Sequence, residues 1–121
     1  MKLHLENAEG YKIKRYDPQS VTINDVVYNN NLIVLPEHLQ TWEVDSFEAL
    51  TLAHFENIAR LKPELVLLGT GLKLRFPPSE LFTPLLQQGI GVDVMDLYAA
   101  CRTYNILMGE GRNVAAALLI R

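Results

Sequence analysis

The spacing of apolar residues along the chain changes character once, near Asp45. Before that point they come in short runs, Val21-Thr22-Ile23, Val26-Val27-Tyr28 and Leu32-Ile33-Val34-Leu35, separated by Asn24-Asp25 and by Asn29 to Asn31. Runs rich in β-branched and aromatic residues with Asn and Asp between them predict an antiparallel hairpin and a neighbouring strand. A further strand is predicted over Leu39 to Val44, with Trp42 and Val44 on one face, and Trp42 reads as a core anchor.

After Asp45 the period lengthens. Asp45 or Ser46 stands where a helix cap belongs, and Phe47, Leu50, Ile58 and Leu61 follow near helical spacing until Pro63. Leu65-Val66-Leu67-Leu68 is a continuous apolar run, as expected of a central strand covered on both faces. A second helix is predicted from a cap at Ser79, through Leu81, Phe82, Leu85 and Leu86, to a left-handed end at Gly89. Val92 to Met95 then reads as a strand, Asp96 as the cap of a third helix running to about Met108, and Val114 to Ile120 as a last buried strand. Strand and helix alternate throughout this half, which predicts an α/β fold whose sheet is mostly parallel there, with helices on its faces.

Composition narrows the picture. A chain of 121 residues with 49% hydrophobic content supports one core, so a single domain over 1–121 is expected. Eleven basic against 14 acidic residues give no positive field for a nucleic-acid backbone, and nucleic acid is excluded as a partner. Met1 to Asp17 alternates charge with apolarity instead of forming a signal peptide, and Val114 to Ile120 is too short to span a bilayer. These features predict a cytoplasmic protein that is not integral to a membrane. Cys101 is the lone cysteine, and His4, His38 and His54 lie in different predicted elements, so neither a bound metal nor a cofactor is expected.

The candidate chemistry lies at one corner. Gly69-Thr70-Gly71 follows the central strand, where glycines let main-chain amides approach an anion or a carbonyl, and where open α/β sheets place ligands. A dinucleotide fingerprint is absent, because position 74 is Leu74 and Pro77-Pro78 delays the next helix. The same glycines also fit a tight corner with no ligand. Asp96 starts the third helix at this edge, and Arg102 and Asn105 share one helical face there, able to hold a carboxylate or a main-chain group. Alternatively Arg102 pairs with Asp96 or Glu110 and fixes the helix end. Cys101 lies beyond the first helical turn and reads as a core thiol rather than a nucleophile.

Leu67-Leu68-Gly69-Thr70-Gly71, then Gly89-Ile90-Gly91-Val92-Asp93-Val94-Met95-Asp96, then Ala99 to Leu107 and Glu110 to Leu118 resemble the small Mth-type domain family, which includes the adipogenesis-associated domain protein and the mitochondrial complex I assembly factor three. The resemblance spans nearly the whole chain. It implies a three-layer (β+α)/β/α fold around a central mixed sheet, with an N-terminal antiparallel hairpin. It also implies a noncatalytic assembly or protein-interaction factor, with protein partners in membrane-complex biogenesis, and supplies no catalytic residues. Leu97 departs from the small or polar residue expected after Met-Asp. The other class of function is a small-anion-binding protein or enzyme, with its pocket at Gly69 to Gly71 and Arg102.

Overall fold

Two sheets with opposite demands organise the chain. In the computed structural model, which describes residues 10–120, β1 (Ile13–Asp17), β2 (Ser20–Ile23) and β3 (Val26–Tyr28) form an antiparallel three-stranded sheet. A second, five-stranded sheet has the order β5-β4-β8-β6-β7, with β4 Leu32–Leu35, β5 His38–Thr41, β6 Leu65–Gly69, β7 Gly91–Met95 and β8 Val114–Leu118. The helices are α1 (Leu52–Ala59), the single turn α2 (Thr83–Leu86) and α3 (Leu97–Gly109). His4 lies outside the described residues.

The five-stranded sheet is covered on both sides, and its alternating residues sort between two cores. Ile33, Val66, Leu68, Ala115 and Ala117 face Phe55 and Ile58 of α1 and Leu85 of α2. Leu32, Val34, Leu67, Ala116 and Leu118 face Leu97, Ala100 and Tyr104 of α3, together with Ile13, Val21 and Ile23 of the smaller sheet. The result is the three-layer (β+α)/β/α arrangement. In the second half the parallel ladders are β6 with β7 and β6 with β8, while β4 runs antiparallel to both β5 and β8.

Several expected elements differ in detail. The strand at the centre of the larger sheet is β8, and β6 lies beside it, so β7 is an edge strand. Leu67 is fully buried, but Val92 on that edge is only half-buried. Leu32 to Leu35 belongs to the larger sheet and does not join the hairpin. The strand expected over Leu39 to Val44 ends at Thr41: Trp42 N–H still donates across to Asn31 O at 2.8 Å, but Val44 N–H then folds back onto Trp42 O at 2.9 Å and the pairing stops. Trp42 and Val44 nevertheless both enter the core.

The helix expected from Asp45 to Leu61 is two pieces. Ser46 Oγ accepts from Ala49 N and closes a 3₁₀ turn over Phe47–Ala49, after which Leu50 is extended and drops into the core. Thr51 and His54 then form a capping box that restarts the chain as α1. The second expected helix splits as well. Pro84 has no N–H and fits only the first α-helical turn, so α2 begins at Thr83 and Ser79–Phe82 is left as 3₁₀. Ser79 is therefore the first residue of that turn rather than its cap. The unpredicted strand is β1, in which only Ile13 is buried.

Candidate functional site

Gly69 ends β6 where α3 crosses the sheet closely. A Cβ at this position would lie 3.0 Å from Ala100 Cβ and 3.1 Å from Leu118 Cδ2, so glycine is needed for the approach of helix to sheet. Gly71 has φ of +87°, the left-handed region that favours glycine, and turns the chain away from the strand. Its carbonyl accepts from Leu97 N at 2.7 Å, which ties the loop to the first turn of α3.

Thr70, fully buried between the two glycines, holds the loop in shape. Its N–H donates to Met95 O at 2.9 Å. Its hydroxyl donates to Lys73 O at 2.8 Å and accepts from Arg75 N at 3.1 Å. Arg75 turns back under the loop: Nη2 donates to Thr70 O at 3.2 Å, Nη1 meets Glu48 at 3.4 Å, and the guanidinium lies 4.4 Å from the Phe47 ring centroid. A cation over an aromatic face adds to that anchoring. Leu72, Leu74 and Phe76 are left exposed.

Asp96 belongs to this corner and caps α3 as expected, accepting from Ala99 N at 2.9 Å. Leu97, where a small or polar residue was expected, is fully buried beneath it. Asn105 is elsewhere engaged. Its Oδ1 accepts from Ile13 N at 3.0 Å and its Nδ2 donates to Ile13 O at 2.7 Å, so both ends of the amide clasp β1. Tyr104 adds a hydroxyl bond to Tyr11 O at 2.7 Å. Arg102 is exposed and, among the described residues, pairs with neither Asp96 nor Glu110. The structure thus joins Gly69, Thr70, Gly71 and Asp96 in one hydrogen-bonded corner and separates Asn105 from it by function.

Cys101, on the buried face of α3, lies in the core, and that burial pushes its thiol up to about 12. A thiol so held is protonated at neutral pH and is no nucleophile. Burial likewise raises the Tyr104 phenol. Sequence reasoning missed Arg75 and the outward Leu72, Leu74 and Phe76. The signal was available as strict apolar and basic alternation just before Pro77-Pro78.

A family model described as "Protein of unknown function (DUF498/DUF598)" matches residues 13–119. A 13 kDa major membrane protein of Francisella tularensis subsp. holarctica is 32% identical over 108 residues, covering 88% of each chain. NADH dehydrogenase (ubiquinone) 1 alpha subcomplex assembly factor 3 of Homo sapiens is 33% identical over 119 residues; the match covers 97% of this chain but only 65% of the human protein. Among solved structures, a Bordetella parapertussis protein superposes with a TM-score of 0.86 at 37% identity, covering 91% of this chain and 95% of that one. A Mth938-like domain from Bordetella pertussis gives 0.80 at 30% identity, covering 90% and 85%.

Proposed function

The chain belongs to the DUF498/DUF598 protein family, and on that premise we propose that it is an assembly or interaction factor that binds a protein partner and performs no chemistry of its own. The observation that carries this reading is the state of the glycine corner. The Thr70 hydroxyl and one oxygen of the Asp96 carboxylate are engaged by main-chain partners within the fold, as is the Asn105 amide away from that corner, whereas Arg102 and the apolar side chains after Gly71 face outward. Reactive sites keep such polar groups free to meet a substrate; interfaces expose apolar and arginine side chains.

Relatives named as a complex I assembly factor support a partner belonging to a membrane complex, and the Francisella relative is named a membrane protein. Among the described residues no helix is long and apolar enough to cross a membrane, so a place beside such a complex suits this fold. Gly69, Thr70, Gly71, Asp96 and Asn105 act in this reading as the scaffold, and Arg102 as a contact. The test starts with co-purification of native complexes on the tagged full chain. With a recovered partner, Arg102→Ala should weaken binding by about 1.5–3 kcal/mol, the range for a hydrogen bond to a charged group, and leave the melting temperature unchanged. Recovery of no protein partner, or a chain that turns over a small molecule, would overturn the reading.

A further inference from the structure

The segment after Gly71 turns a charge inward and its apolar side chains outward. Leu72, Leu74 and Phe76 are 61%, 52% and 66% exposed, while Arg75 between them reaches back to Thr70 and Phe47. From Leu74 to Pro78 exposure alternates residue by residue, the period of an extended chain. Phe76 and Pro77 each precede a proline, which disfavours helix and keeps them extended.

Successive residues of an extended chain aim their main-chain groups at opposite edges. Lys73 and Arg75 spend theirs on Thr70, through Lys73 O and Arg75 N. The N–H and C=O of Leu74 and Phe76 therefore face away from the body of the fold, and among the described residues they make no hydrogen bond. The result is a short, open strand edge held in place by a buried threonine and a stacked arginine. The charge this edge offers a partner is that of exposed Lys73, since Arg75 is matched by Glu48, and it is opposite in sign to a chain of net charge −3.

We propose that this edge captures an extended, alternately apolar and acidic segment of a protein partner. The segment pairs with the main chain of Leu74 and Phe76, lays its apolar side chains beside theirs, and sets its carboxylates on the Lys73 side. The inference rests on the reading above that the chain binds a protein. A bilayer would meet the same side chains, but it would strip water from the N–H and C=O groups of Leu74 and Phe76 without replacing those bonds. An added strand supplies them.

The probe is a capped hexapeptide, Leu-Glu-Val-Glu-Leu-Glu, titrated into the full-length chain while main-chain amide resonances are followed. Saturable shifts should centre on Leu74 and Phe76, and Lys73→Glu should weaken binding roughly tenfold, as loss and reversal of one charge contact would. N-methylation of alternate peptide residues should abolish binding, and the matched peptide with lysine in place of glutamate should bind far more weakly. Equal binding of the two peptides, indifference to N-methylation, or shifts confined to β5 or β7 would sink the proposal. So would vesicles of phosphatidylcholine and phosphatidylglycerol that move these resonances when the peptide does not. A wild-type chain that retains a protein partner while the peptide leaves Leu74 and Phe76 unmoved overturns this inference alone. Peptide capture with no partner recovered overturns only the assembly role.

Discussion

Asn105 shows how a residue can be noticed for one reason and used for another. Its place one turn after Arg102 suggested a shared ligand, yet its amide is matched at both ends by the main chain of Ile13, 92 positions away. Nothing local in the sequence marks such a partner, whereas the local demands at this scale were legible: Gly89 for a left-handed helix end and Asp96 for a helix cap. Asn105→Ala should leave the Ile13 N–H and C=O without their partners and lower stability by about 1–3 kcal/mol, the cost of stranding part-buried polar groups. Urea unfolding measures it. A variant as stable as the wild type would show that water replaces the amide and that β1 is not held to α3 by this clasp.

Elements were legible where one physical signal dominated and blurred where two competed. The apolar runs of β4, β6 and β8 admit little besides buried strands, and α3 has both its cap and its apolar faces in the sequence. Between Asp45 and Pro63, helical spacing was real at both ends, but Ser46 and Thr51 each begin a helical segment and the chain cannot continue one helix through the extended Leu50. Proline placement decided the next stretch, since Pro84 permits only a late α-helical turn. At the site, the glycine corner was legible as a corner; the loop it launches was not, because alternating apolar and basic residues do not say which set faces the protein. The contact of α3 with the sheet supplies the prediction at this scale. Gly69→Ala should push the helix from β6 and β8 and cost about 1–3 kcal/mol as overpacking, and Ala100→Gly in the same chain should recover part of that loss. Additive losses in the double variant would mean that the two positions do not meet.

At the scale of the molecule, the five-stranded sheet is a wall shared by two cores, and consecutive residues on one strand serve different sides. Leu67 packs with α3 and the small sheet, while its neighbour Leu68 packs with α1 and α2. Trp42 lies in the Leu68 core, edge-on to Phe55 with ring centroids 6.3 Å apart, so its fluorescence reports only that side. Because each of β4, β6 and β8 contributes to both cores, neither side can lose its packing while the other keeps its sheet, and residues 10–120 should unfold as one cooperative unit. Leu67→Ala should lower stability by about 2–5 kcal/mol through lost transfer energy and the cavity left behind. The informative observation is where that loss appears. Although Leu67 faces away from Trp42, the urea midpoint read by Trp42 fluorescence should fall together with the midpoint read by far-ultraviolet circular dichroism. A fluorescence midpoint left at its wild-type value, with an earlier dichroism transition, would divide the chain into two units and remove the single-domain reading.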